Sequence, residues 1–171
     1  NRGEWIRKVW KVRRGFIKVH FAVDVQTKQI VSMQVTREDT SDGRMLKPLV
    51  EEASSRANVV RAIGDGAYDS RENFRYLDSR GIEPVIKVRA SSVPRAMGCM
   101  ARKLAVVEQQ RDLKRWKGKH HYGMRWMVES AFSSLKRTFG EYVTSVRWRS
   151  IVSELMLKAS IYNLFISMNP K

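Results

Sequence analysis

From residue 16 the stretch FIKVHFAVD alternates apolar and polar positions and is rich in β-branched and aromatic side chains. That is the pattern of a half-buried strand. VQTKQ reads as a turn and IVSMQVT as a second strand, so the two form a hairpin. The period then changes. Met45, Leu46, Leu49, Val50 and Ala53 recur at helical spacing, with Asp42 standing where an N-cap belongs. This predicts a helix reaching Ala57, whose regular part starts near Lys47 because Pro48 cannot sit in a helix interior.

NVVRAIGD predicts a short buried strand ending at Asp65, and GAYDS a turn in which Asp69 or Ser70 caps the next helix. That helix runs to Arg80 and stops at Gly81, where glycine accepts a left-handed conformation. IEPVIKV is the next strand. A strand–helix–strand unit implies parallel pairing. Residues 90–120 show loop-like SSVPRAMG and then a basic segment. A helix follows over 122–136, and a long apolar helix over 150–166, read as a core helix because Lys158 interrupts its apolar run. The order predicts one α/β domain over residues 1–171 with a mixed sheet.

Charge narrows the function. The chain has 33 lysines and arginines against 17 aspartates and glutamates, a formal net charge of +16. Such an excess predicts a polyanionic partner, most simply nucleic acid, ahead of an anionic membrane surface. With 43% hydrophobic residues the chain has the material for a core. Cys99 is the single cysteine, so an internal disulfide and a multi-cysteine zinc site are both excluded, and a reducing compartment fits.

The most informative stretch is YGMRWMVESAFSSLK, residues 122–136. On a helical wheel Tyr122, Arg125, Glu129 and Lys136 fall within a stripe of about 60°. Met124, Val128, Ala131 and Leu135 form a second, core-facing stripe. Arg125 and Glu129 make an i, i+4 pair common on solvated faces, though arginine before glutamate is the less favourable order. The spacing of tyrosine, arginine, glutamate and lysine resembles the YREK signature of insertion-sequence transposases of the DDE class. GDGAYDS resembles the second-aspartate segment of that family, and the hairpin resembles the strands before it. The resemblance extends from Gly15 to Asn163.

The resemblance implies a ribonuclease-H-like mixed sheet flanked by helices. It also implies three acidic residues holding two divalent ions, Mg²⁺ or Mn²⁺, for DNA strand cleavage and strand transfer. Carboxylates suit hard cations, and paired metals stabilise both oxygens of an in-line displacement. Asp65, at a strand end, matches the second aspartate, and Glu129 the third carboxylate. By the same resemblance Tyr122, Arg125 and Lys136 contact DNA phosphates or orient the glutamate. Asp24 is a weak match for the first aspartate: it sits where its hairpin turns, and only two strands precede the Asp42 helix. The expectation is that the sheet lacks its first strand here, that the first aspartate lies upstream of Asn1, and that the chain without it is inactive. The implied partners are the element ends and target DNA, engaged by a homodimer in the cytoplasm at the nucleoid, with no membrane.

Other residues carry weaker signals. His20, His120 and His121 read as surface or DNA-contacting residues. By the resemblance, Trp116 or Trp126 lies near where some related enzymes stack a flipped base, against the usual core role of tryptophan; Trp5, Trp10 and Trp148 are also interleaved with cations. Tyr68 and Asp69 read as capping or packing residues. The basic segments 2–18 and 102–119 read as tracks for a DNA backbone. Two alternatives stand beside the transposase reading: a non-catalytic DNA-binding remnant, and a ribonuclease-H-like nuclease that cuts without strand transfer.

Overall fold

The computed structural model describes residues 17–95 and 97–168. Among them the hairpin forms as its pattern predicts. β1 (Ile17–Val23) and β2 (Ile30–Arg37) pair antiparallel, with Phe21 opposite Met33. β3 (Arg61–Gly64) and β4 (Glu83–Ile86) pair parallel, as the strand–helix–strand unit requires. The expected single mixed sheet is divided among the described residues: β1 pairs only with β2, and β3 only with β4.

The helices are α1 (Leu46–Ser54), α2 (Arg71–Ser79), α3 (Met100–Arg111), α4 (Leu113–Lys119), α5 (Trp126–Phe139) and α6 (Trp148–Met168). α1 begins later than Asp42 suggests. A 3-10 turn, Asp42–Met45, comes first, and the Asp42 carboxylate accepts from Lys18 Nζ at 3.2 Å instead of capping. Pro48 then falls in the first turn of α1, where its missing N–H has no helical partner to lose. α2 is capped by Ser70, whose hydroxyl accepts from the Asn73 N–H at 3.1 Å, and it ends at Gly81 with φ +68°.

Helices cover both faces of the strands. On one face α1 and α2 pack over Ile82 and Ile86. The Glu52 carboxylate of α1 accepts from Ser32 Oγ at 3.0 Å and from the Met33 N–H at 3.2 Å, fixing α1 to β2. On the other face α5 and α6 bury Ala131, Leu135, Leu155 and Ala159 against Phe21 and Met33, and Phe21 stacks on Phe132 at 4.2 Å.

Side chains close two of the strand edges. Gln109 of α3 accepts from the Val88 N–H at 3.0 Å and donates to the Ile86 carbonyl at 2.9 Å. Asn163 of α6 makes the same exchange with Ile30, 2.8 Å each way.

α6 corrects the core-helix expectation. Leu155, Ala159 and Tyr162 are buried, while Leu157, Leu164, Phe165 and Met168 are exposed. The helix is long and apolar enough to cross a bilayer. It is docked on the hairpin along one face only, because its apolar residues run all round and a single stripe finds a partner.

Candidate active site

Asp65 directly follows β3. Its backbone is extended, and its carboxylate accepts from the Ala67 N–H at 2.9 Å, closing the 3-10 turn Gly66–Tyr68. The turn-former role is therefore real, and it orients the carboxylate at the carboxyl end of a parallel strand, where open α/β sheets present ligand-binding groups. Gly43 lets a neighbouring turn approach closely: a Cβ there would lie 2.8 Å from the Ala67 carbonyl.

The opposite wall comes from the chain between α4 and α5. His121, with φ 50°, reverses the chain into a 3-10 turn, Tyr122–Arg125, that leads into α5. The single helix predicted over 122–136 is thus a 3-10 turn joined to an α-helix. The left-handed His121 tightens the entry and swings Tyr122 inward. Tyr122 is buried, packs with Val85 and lies 5.1 Å from the Trp116 ring. Arg125 bonds the exposed Glu129 carboxylate at 2.6 Å.

One hydroxyl reports on the whole cluster. Burial pushes the Tyr122 phenol above its usual value. The Arg125 charge and hydrogen bond oppose this, and the negative charges of Asp65 and Glu129 add to it. Asp65, Tyr122 and Arg125 line one cavity, and the Arg125 ion pair sets the Glu129 carboxylate beside them. The fold brings together Asp65, Tyr122, Arg125 and Glu129 from segments far apart in sequence.

Lys136 is placed apart, nearly two turns further along α5, with its ammonium 3.3 Å from Glu141. Asp24 is also apart: its carboxylate accepts from the Gln26 N–H and from Thr27 Oγ1, each at 2.9 Å, in the hairpin turn. Among the described residues no group of three or more His, Cys, Asp or Glu forms a metal cluster.

A cavity of about 660 Å³ adjoins Asp65, Tyr122 and Arg125 and is also lined by Lys87, Arg89 and Lys117. Sequence reading missed Lys87 because IEPVIKV was absorbed into a strand, and Arg89 because it falls directly after that strand, before the loop that starts at residue 90. Their signal was position: β4 ends at Ile86, so the next exposed side chains emerge at the same sheet end as Asp65.

Several other expectations change. Trp116 is a core residue, buried against Val85, so it is not available for a base; Trp126 is half exposed. Arg102 leaves the DNA track, because it is bonded to the buried Asp69 carboxylate at 2.7 Å. Asp69 is the packing residue expected, also accepting from the Arg89 N–H and Ser92 Oγ. His20 is buried and bonds Thr36 Oγ1 at 2.9 Å; burial lowers its pKa. His120 lies between Glu83 at 2.7 Å and Glu108 at 3.1 Å, joining β4, α3 and α4. Both histidines are structural, because the Thr36 hydroxyl holds the His20 ring and the Glu83 and Glu108 carboxylates hold that of His120. Trp5, Trp10 and the basic segment up to residue 16 lie outside the described residues.

A family model described as Transposase DDE domain matches residues 2–164. The chain belongs to this family. The matched span takes in both strand pairs, α1 to α5 and most of α6, so the family assignment covers the elements that carry Asp65 and Glu129. No solved structure matches the chain.

Proposed function

We propose that this chain is the catalytic part of an insertion-sequence transposase of the YREK type, cutting and joining DNA strands. The observation that carries the reading is that Asp65, Tyr122 and Arg125 line one cation-edged cavity while Arg125 holds the Glu129 carboxylate at 2.6 Å. Family membership supplies the prior; the site supplies the chemistry.

The donor set fits a hard divalent cation. Asp65 and Glu129 offer carboxylate oxygens, the ligands Mg²⁺ and Mn²⁺ prefer, and leave coordination positions for water and phosphate. When bound, such ions stabilise charge on the attacking and leaving oxygens. The chain's own residues do the rest. Arg125 holds Glu129 in place. Tyr122, kept neutral by burial, donates a hydrogen bond at the cavity wall. Lys87, Arg89 and Lys117 hold the phosphate backbone, and Lys136 extends the contact along α5. The reading includes a ribonuclease-H-like sheet whose first strand is not among the described residues, a first aspartate on that strand, and two copies acting on paired element ends in the cytoplasm.

A DNA-binding remnant stands as the second reading, because among the described residues no group of three or more His, Cys, Asp or Glu is gathered at the site. The test is cleavage of labelled duplex DNA in Mg²⁺ or Mn²⁺ by the chain and by a version extended at its N-terminus with the expected aspartate strand. Cutting by the extended version, lost in Glu129→Gln, is the expected result. Cutting indifferent to both Asp65→Asn and Glu129→Gln would overturn the reading. Salt-dependent binding without cutting in either version would leave the remnant.

A further inference from the structure

Asn73 stands where a capped helix commonly carries glutamate or glutamine. Ser70 caps α2, and in the usual capping box the third helical residue reaches back to the N–H of the cap. Asparagine is a poorer helix former than either, so its side chain has another use there. Asn73 is buried, and its amide nitrogen donates to the Gly43 carbonyl and to the Tyr68 carbonyl, at 3.0 Å each. Both partners only accept, so the NH₂ end of the side chain, with a hydrogen for each, is the end that faces them.

The two carbonyls belong to different 3-10 turns, Asp42–Met45 and Gly66–Tyr68. The second is the turn that Asp65 closes, with its carboxylate on the Ala67 N–H and its carbonyl accepting from the Tyr68 N–H at 3.2 Å. The first is tethered to the hairpin, because Lys18 of β1 donates to the Thr40 carbonyl at 2.8 Å and to the Asp42 carboxylate. Asn73 thus ties the Asp65 turn to the β1–β2 half of the fold. Gly43 makes the approach possible, since a Cβ there would press on the Ala67 carbonyl. The clip has a firm base: Phe74 and Leu77, both fully buried, fix α2 in the core.

We infer that Asn73 is a positioning residue for Asp65. Its amide holds the turn, and the turn holds one carboxylate oxygen on the Ala67 N–H, which leaves the other for a cation. Asn73 acts through the backbone of the turn and not by contact with the ion. The inference rests on the reading of Asp65 as a metal ligand.

The test reads exchange of the Ala67 amide with water by NMR, and Mn²⁺ affinity by a titration followed by electron paramagnetic resonance. Asp65→Ala gives the Ala67 rate without the carboxylate. Asn73→Ala removes the clip. Gly43→Ala keeps every hydrogen-bonding group and pushes on the Ala67 carbonyl, so it disturbs the turn even where loss of Asn73 unfolds the chain. Asn163→Ala is the matched control: that side chain also exchanges bonds with backbone, at Ile30, the opposite end of β2 from the Asp42–Met45 turn. In Asn73→Ala and Gly43→Ala, Ala67 exchange should quicken about tenfold and Mn²⁺ should bind about tenfold more weakly. Asn163→Ala should lower the Tm with both readouts unchanged. A lowered Tm in Asn73→Ala, with Ala67 exchange and Mn²⁺ affinity as in the unmodified chain, would overturn the inference and leave Asn73 a packing residue. Faster Ala67 exchange with unchanged Asp65-dependent affinity would overturn it as well, because the turn would then not set the ligand. Should the unmodified chain bind no Mn²⁺ through Asp65, the metal reading fails, and the Ala67 amide alone decides whether Asn73 holds the carboxylate.

Discussion

The Arg125 guanidinium sits 2.6 Å from the Glu129 carboxylate, one turn away at the start of α5. Both groups are accessible, so the pair adds little to stability. Its value is positional, since it fixes the direction of a carboxylate next to a buried tyrosine. Glu129→Gln should abolish metal-dependent cleavage in an active version, by on the order of 10³-fold, with circular dichroism unchanged. Arg125→Ala should cost less, on the order of 10²-fold, because the carboxylate remains but is free to wander. Equal losses in both variants would show that Arg125 does more than orient.

Asp24 supplies the opposite case. Its carboxylate is engaged by the Gln26 N–H and Thr27 Oγ1 within its own turn. Asp24→Ala should leave cleavage within about twofold while lowering stability by roughly 0.5–1.5 kcal/mol. Complete loss of cleavage with normal unfolding behaviour would make Asp24 a metal ligand.

The cations around the 660 Å³ cavity should act through DNA phosphates. Lys87→Ala, Arg89→Ala and Lys117→Ala should each weaken binding uniformly across sequences. Each should also reduce the salt slope of log K by about one. Arg102→Ala should leave the slope unchanged, because its guanidinium serves Asp69. Fluorescence anisotropy at several salt concentrations separates these outcomes.

Asp69 predicts a pH dependence. Burial pushes its carboxyl up, but the Arg102 hydrogen bond, the Arg89 N–H and the Arg102 charge outweigh it and hold the carboxyl below the ordinary carboxylate range. A depressed folded-state value means the stabilisation is present above the unfolded value of about 3.9 and is lost as pH falls through the folded value. Asp69→Ala should cost about 3–5 kcal/mol at neutral pH, since it strands a nearly buried arginine. The gap between wild type and variant should shrink below about pH 4 in thermal unfolding. A gap constant with pH would contradict the assignment.

Local signals carry much of this architecture. Alternation along FIKVHFAVD marks the β1–β2 hairpin, and Gly81 marks the end of α2, because each feature depends only on nearby residues. The spacing of Tyr122, Arg125 and Glu129 marks one wall of the site for the same reason. Lys136 falls away from that wall because a helical wheel shows direction and not height: it lies on the same helix as Glu129 but about 10 Å further along the axis, beside Glu141. Arg102 reads in sequence as one more surface cation, because its partner Asp69 is 33 positions away. The division of the sheet is equally hidden, since strand propensity does not say which edges meet.

The central claim is that Asp65 and Glu129 hold one divalent ion site, and Mn²⁺ tests it without any need for cleavage. Paramagnetic broadening of amide signals should appear around Gly66 and Ala67 and around Ser130, and should vanish in the Asp65→Asn, Glu129→Gln double variant. Broadening confined to other carboxylates, or unchanged in the double variant, would contradict the account.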